Sequence, residues 1–285
     1  MLLKDVQTRE ELISYLKSKG KNHNNYYHYT TWDSLEKILT NRSFLLTRGN
    51  ALSINDQQEA IMKGAWREWN RIYIGSFSFG ESENMAMWGL YGLPWPDGVR
   101  ICIPKDKMNF WISGITEVGI WEGGRIVGQE DAAEVALNDI VYVSGTDNQL
   151  RFTRAGYHKT VSAGSPLWGA DRAPEMTGYV KSFAWQYENE VRLRICLKDE
   201  AGPDKICIPI PQEVLDAMTF TTGPSFIWKP GELYQQLKRA GRIRESDFLH
   251  LVNYRHLCSM CRYGAFEAKE KPLSRPEPDQ PFPGR

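Results

Sequence analysis

Lys181-Ser-Phe-Ala-Trp185-Gln-Tyr187-Glu188-Asn-Glu190-Val-Arg192-Leu-Arg-Ile195 puts two carboxylates two residues apart at the mouth of an apolar, strand-like run. In an extended chain, residues i and i+2 point to one face about 6.5–7 Å apart. Glu188 and Glu190 are therefore expected to look into one space, with Val191, Leu193 and Ile195 on the opposite, buried face. Arg192 and Arg194 share the carboxylate face, so an ion network across a sheet is the competing reading. A second polar cluster, Tyr27-His28-Tyr29-Thr30, opens its own strand-to-helix unit upstream and favours a shared site.

Outward from this stretch, short strands alternate with helices. Thr8-x-x-Glu11 is a capping box for a helix over 8–19 with an apolar stripe at Leu12, Ile13 and Leu16. Residues 26–29 are strand-like, and Thr30 or Thr31 can cap a helix whose face is Trp32, Leu35, Ile38 and Leu39. Strands are expected at 43–47, 72–79, 99–103, 205–210 and from 219, and helices at 57–70, 85–91, 212–218, 232–240 and 247–254. Between 107 and 154 the pattern gives several short β-like runs. Residues 155–180 are rich in Gly, Ser and Pro and read as a long loop able to cover a site. The mixture predicts an α+β fold with an antiparallel or mixed sheet. A single domain over 1–265 is expected, with its core at 26–225, C-terminal helices within 230–262 and a proline-rich, disordered tail over 270–285.

Among 285 residues there are ten Trp, thirteen Tyr and eleven Phe, and 35 basic side chains balance 35 acidic ones. A net charge of zero gives no global pull toward nucleic acid or membrane, although a local basic face is compatible with it. Met1-Leu-Leu-Lys-Asp-Val-Gln lacks the apolar core of a signal peptide, and no apolar run approaches the roughly 18–20 residues of a membrane span. The expected setting is the cytoplasm, with no membrane partner. Cys102, Cys196 and Cys207 lie in apolar runs and read as buried thiols. Cys258-x-x-Cys261 follows His250 and His256 at a spacing unusual for zinc, so two buried thiols at a helix end are the preferred reading. No metal site is expected.

There is no Walker loop, dinucleotide GxGxxG, GxSxG elbow or HExxH. The dispersed candidates are His28 and Thr30 on one face of a strand, Ser76 and Ser78 on one face of another, Trp88 and Tyr91 on one side of a helical turn, and Glu188 with Glu190. Each has a structural reading: a satisfied core histidine, strand filler, aromatic packing. Together they are the parts needed to hold a nucleotide and to stabilise a positively charged sugar.

The order Tyr27-His28-Tyr29-Thr30 plus helix, Asn55-Asp56, Ser76-Phe77-Ser78, Met87-Trp88-x-x-Tyr91, Gly98-Val-Arg-Ile-Cys-Ile103 and Lys181 followed by Trp185-x-Tyr187-Glu188-x-Glu190-x-Arg192 resembles a large uncharacterised bacterial domain family. That family has an MW-x-x-Y signature and a closing W-x-Y-E-x-E-x-R, and the likeness covers about residues 26–225. The first segment also resembles the DNA-targeting ADP-ribosyltransferase toxins, which begin with a comparable His-x-Thr strand and helix. The His-strand, Ser-rich strand and Glu-strand together are similar to the ADP-ribosyltransferase superfamily. The resemblance implies an ADP-ribosyltransferase-like mixed or antiparallel β core with flanking helices. It implies NAD as a consumed substrate, Glu190 as catalytic acid and Glu188 as its auxiliary. The NAD contacts it implies are His28, Tyr29, Thr30, Ser76 or Ser78, and a stacking Tyr91 with Trp88 as fallback. Two departures stand out: the middle strand reads Ser-Phe-Ser rather than Ser-Thr-Ser, and His28 replaces the first-strand arginine of the arginine-modifying toxins.

Cleavage of the nicotinamide–ribose bond leaves an oxocarbenium-like sugar, which a fixed carboxylate can stabilise. The resemblance implies an NAD-dependent transferase, a bacterial toxin or antiphage effector held in check by an antitoxin. Its acceptor would be nucleic acid (RNA or DNA) or protein, with NAD hydrolysis as the remaining outcome. Lys238, Arg239, Arg242 and Arg244, near Tyr234 and Tyr254, form a basic patch suited to nucleic acid, against the simpler reading of a solvated helix face. The alternative class is a non-catalytic nucleotide-binding module. A glycosidase is disfavoured, because both carboxylates would approach the sugar from one side.

Overall fold

The computed structural model of the protein describes residues 5–18, 23–49, 69–91, 97–173, 176–198, 202–224, 226 and 231–248. The expected helix at 57–70, most of that at 247–254, the Cys258/Cys261 pair with its histidines, and the tail lie largely or wholly outside them. The fold is mixed α+β. Helix α1 (Arg9–Ser18) starts at the predicted capping box. Glu11 N–H donates to Thr8 Oγ1 at 3.1 Å, and Thr8 N–H donates back to Glu11 Oε2 at 3.1 Å. Strand β1 (Asn25–Thr31) runs directly into α2 (Trp32–Asn41), whose first turn is capped by Thr31 Oγ1 accepting the Ser34 N–H at 3.3 Å.

The chain continues through β2 (Ser43–Arg48), β3 (Ile72–Ser78), α3 (Met85–Tyr91) and β4 (Gly98–Pro104). Then follow α4 (Lys105–Ser113), β5 (Glu117–Glu122), β6 (Arg125–Asp139), β7 (Val141–Thr146), β8 (Gln149–Arg154) and β9 (Tyr157–Ser162). Strand β10 (Val180–Ser182) leads through a 3₁₀ turn (Phe183–Glu188) into β11 (Glu190–Leu197). The last described elements are β12 (Lys205–Pro209), α5 (Gln212–Ala217), β13 (Thr219–Thr222), α6 (Glu232–Arg239) and β14 (Ile243–Glu245).

Strands β11–β6–β5–β12–β2–β3 form a ring that closes where β3 pairs with β11, and β1–β4–β13–β14 branch from β3 as a wing. Every pair in this sheet is antiparallel except β13–β14. Inward-facing Val191, Leu193 and Ile195 meet Leu46, Leu137, Ile206 and Ile208 in one apolar core, each contributing about 1.5–3 kcal/mol of burial. Gly75 lets β2 and β3 close together, since a Cβ there would stand 2.7 Å from Leu46 Cδ2. A second sheet, β10–β7–β8–β9, packs with α1 through Leu12, Leu16, Val141, Phe152 and Val161.

Two expectations need correction. Residues 105–113 form helix α4 rather than β-like structure, because Met108, Trp111 and Ile112 fall on one helical face and are all buried. Residues 155–180 are not a loop over a site. Their first part is β9, hairpinned to β8, and Leu167, Ala170, Met176 and Tyr179 pack into the second core. Cys196 and Cys207 are buried free thiols, and Cys102 is a half-buried one. No helix among the described residues is long and apolar enough to cross a membrane.

Candidate functional site

The three strands singled out from the sequence lie side by side. Tyr27 of β1 pairs with Ser78 of β3, and on the other edge of β3 Ser78 pairs with Glu190 and Ser76 with Arg192 of β11. Strand β2 meets β3 at Ile74 and Tyr73, so among the described pairings the edge of β3 between Gly75 and Phe77 belongs to neither β1 nor β2. A cleft of about 530 Å³ opens at this split, with α2 along one wall. His28, Thr30, Ser76, Tyr91, Lys181 and Arg192 reach it from the candidate side, and Lys37 and Arg48 from the other. No Asp or Glu lines it among the described residues.

Ser76 joins the two ends of the site. Its carbonyl lies 2.9 Å from His28 Nδ1, and its hydroxyl donates to Glu190 Oε1 at 2.6 Å. A carbonyl only accepts, so His28 carries a proton on Nδ1, and Nε2 remains an acceptor in the neutral ring. Burial among Phe44 and Phe77 pushes the imidazole below its ordinary pKa, outweighing the upward pull of the Ser76 carbonyl, so the ring is neutral at pH 7.

Glu190 is 3% exposed and its four acceptor positions are filled. Arg192 grips it side-on, Nε to Oε1 at 2.9 Å and Nη2 to Oε2 at 3.0 Å, and Lys181 Nζ adds a bond to Oε2 at 3.2 Å. Burial alone would push this carboxyl up. The Arg192 guanidinium and Lys181 ammonium, with the hydrogen bonds from Arg192 and Ser76, hold it down at about 2. Glu188 has fewer partners: Lys181 Nζ donates to Oε2 at 2.5 Å and the Tyr91 hydroxyl to Oε1 at 3.1 Å. Its burial, together with the neighbouring Glu190 charge, outweighs Lys181 and raises its pKa. Two acids two residues apart are thus driven in opposite directions, as in sites that divide acid and base roles.

The cleft meets these acids through an intervening layer. Ser76, Arg192, Lys181 and Tyr91 line it and hold the carboxylates behind them. No family model, curated protein or solved structure matches this chain.

Of the residues singled out, His28, Thr30, Ser76 and Tyr91 line the cleft, with Glu188 and Glu190 in contact behind it. The other NAD-contact candidates lie elsewhere. Trp88 is 0% exposed, edge-on to Tyr29, and its indole N–H donates to Glu83 at 2.9 Å, so it is packed inside rather than offered for stacking. Tyr29 is buried on the opposite face of β1, where its hydroxyl accepts the Asn84 N–H at 3.2 Å. Ser78 is buried too, its hydroxyl 3.4 Å from the Tyr27 carbonyl. The acceptor patch divides as well. Lys238 and Arg239 are exposed on α6, whereas Arg242 donates to the carbonyls of Leu215 and Met218 and closes the end of α5. None of the three lines the cleft.

The extended geometry expected for Glu188 and Glu190 is also corrected. Glu188 ends the 3₁₀ turn, and Asn189, at φ 45° and ψ 50°, turns the chain before β11 begins. Both carboxylates nevertheless converge on Lys181. Arg192 fulfils the ion-network reading, while Arg194 leaves the acids for Glu134 at 2.8 Å and the Thr177 carbonyl at 3.2 Å. Neither Lys181 nor Tyr142 is among the residues expected in the site. Tyr142 carries no motif, and Lys181 heads both the deciding stretch and the closing motif of the resemblance with no role attached to it. Among the described residues no cluster of three or more His, Cys, Asp or Glu could hold a metal.

Proposed function

We propose that the protein is an NAD-consuming ADP-ribosyltransferase with an ADP-ribosyltransferase-like core, reacting in the cleft between β1, β2 and β3. The observation that carries this reading is the meeting of His28 and Glu190 on Ser76, the imidazole at its carbonyl and the carboxylate at its hydroxyl. In this scheme the bond between the ribose C1′ and nicotinamide breaks, nicotinamide leaves with the bonding pair, and the ribose becomes an oxocarbenium-like cation. Glu190, paired with Arg192 and Lys181 behind the cleft lining, acts on that cation through Ser76, whose hydroxyl hydrogen bond it accepts and whose oxygen it thereby polarises toward the ribose. Neutral His28 accepts a hydrogen bond from a ribose hydroxyl or the carboxamide. Tyr91 gives the nicotinamide a ring to lie against. Glu188, raised in pKa, lies behind Tyr91 and acts through it: the Tyr91 oxygen takes the proton of the incoming nucleophile and passes its own to Glu188 as the new bond to C1′ forms.

Nucleic acid is the acceptor we favour. Phe183 and Tyr187 are exposed on the turn that carries Glu188, where flat rings can stack on bases, and Lys238 and Arg239 add exposed positive charge. A protein acceptor or water would use the same centre. Such an enzyme, acting in the cytoplasm as a toxin or antiphage effector, would need a restraining antitoxin. Incubation of the protein with labelled NAD and cell extract, followed by separate nuclease and protease digestion, tests this. Label lost to nuclease is expected. Label lost to protease would name a protein acceptor, nicotinamide release without incorporation would name hydrolysis, and no release would remove the reading.

A second reading has its own support. With Glu190 saturated and the cleft wall formed by Lys37, Arg48, Lys181 and Arg192, the site suits an anionic nucleotide that is held but not cleaved. Calorimetric binding of NAD without nicotinamide release would establish that module instead.

A further inference from the structure

The small sheet sends Lys181 to the cleft and otherwise stands apart from it. Strands β10 and β7 run parallel, and Lys181 is in register with Tyr142. Both side chains end on Glu190. The Tyr142 hydroxyl accepts the Glu190 N–H at 2.8 Å, while Lys181 Nζ bonds its Oε2. The chain between β6 and β7 adds a third contact, Ile140 N–H to the Glu190 carbonyl at 2.9 Å. Lys181 is itself 6% exposed, and its ammonium lies 4.9 Å over the Trp185 ring. A buried ion network of this kind is a weak source of stability, because desolvating the charges offsets their attraction. Each of its charges is nevertheless held by more than one partner, which fixes where the carboxylates sit.

We propose that Lys181 and Tyr142 are positioning residues, through which the β7–β10 pair fixes the backbone and carboxylate of Glu190 and ties Glu188 to the same ammonium. This deepens the transferase reading and rests on it. Without the ammonium, two buried carboxylates share a site with one fewer cation, and both hold their protons to higher pH. Arginine at the same position restores a cation. Tyr142→Phe keeps every charge and removes only the acceptor of the Glu190 N–H.

The test combines carbon-13 titration of the glutamate carboxyls with the pH profile of nicotinamide release. Glu188→Gln and Glu190→Gln assign the carboxyl signals. In Lys181→Gln the midpoints of Glu188 and Glu190 are expected to rise by about one pH unit or more. The acid limb of the rate profile should move with them, and Lys181→Arg should bring both back. A folded Lys181→Gln protein whose midpoints and profile superpose on wild type overturns the proposal. Should Lys181→Gln fail to fold, Tyr142→Phe decides: a kcat lower by about tenfold with unchanged KM supports positioning, and an unchanged kcat overturns it. Wild-type protein that releases no nicotinamide, while the midpoints still move in Lys181→Gln, places the failure on the transferase reading and not on the geometry of Lys181.

Discussion

His28 and Glu190 are joined through a single residue, Ser76, whose carbonyl faces the imidazole at 2.9 Å and whose hydroxyl donates to the carboxylate at 2.6 Å. The link exists because β1 leaves β3 after Tyr27/Ser78, freeing the β3 edge at Ser76 for a side-chain partner. Ser76→Ala removes a hydrogen bond to a charged group, worth about 1.5–3 kcal/mol. If Glu190 acts on the sugar, kcat for nicotinamide release should fall about ten- to a hundredfold. Ser78→Ala, with its long contact to the Tyr27 carbonyl, should change kcat by less than about twofold. Equal losses in the two variants would contradict the assignment.

The same carboxylate sets an acid limit on stability. Glu190 is held down at about 2 in the folded protein, below its ordinary value of 4.5. The unfolded chain therefore binds more protons between these values, and stability falls as pH drops through that window. Glu188 works in the opposite sense, because its raised pKa makes the folded state the better proton binder above 4.5. Urea unfolding between pH 5 and pH 2.5 should show a loss of stability that is shallower in Glu190→Gln. Identical slopes would remove the network from the acid transition.

Trp88 and Tyr91 separate packing from ligand contact on one helix. Trp88→Ala empties a fully buried site and strips Glu83 of a donor, so it should cost about 3–5 kcal/mol in denaturant unfolding. Tyr91→Phe keeps the ring but removes the hydroxyl bonded to Glu188, so it should lower turnover at a stability cost of about 1.5–3 kcal/mol, below that of Trp88→Ala. A Tyr91→Phe protein with wild-type turnover across pH would take the hydroxyl out of the chemistry, and wild-type turnover in Tyr91→Ala would take the ring out of the site.

Arg242 was expected on an acceptor patch and is found closing α5. Arg242→Ala should therefore destabilise the fold by about 1.5–3 kcal/mol, measured by urea midpoint. Lys238→Ala and Arg239→Ala should leave the midpoint within about 0.5 kcal/mol of wild type and weaken nucleic-acid binding, measured by the salt dependence of affinity. Stability unchanged in Arg242→Ala would return it to the patch.

Local chemistry was legible wherever a short-range rule decides the structure. The Thr8/Glu11 box, the Thr31 cap and the Met85–Tyr91 helix all follow from neighbours in sequence. The stripe Met108, Trp111 and Ile112 has helical spacing too, but it is short and lies at the head of a stretch, 107–154, whose other runs are strands. The β8–β9 hairpin was hidden for a different reason. Its turn uses Ala155 at φ 44° before Gly156 at φ 84°, a pair of positive angles usually announced by Asn-Gly or Asp-Gly. At the site, the alternation within β3 and β11 predicted which faces share a space. It could not predict that Asn189 would break the extension, nor that Lys181 and Tyr142 would arrive in register from a second sheet. Those depend on long-range pairing, which no window of sequence contains.

The most direct test of the account is nicotinamide release from NAD by wild type and by Glu190→Gln, each shown to be folded by circular dichroism. The account predicts release by wild type and a loss of at least about 10²-fold in the variant. A folded Glu190→Gln protein that turns over NAD at the wild-type rate would contradict it.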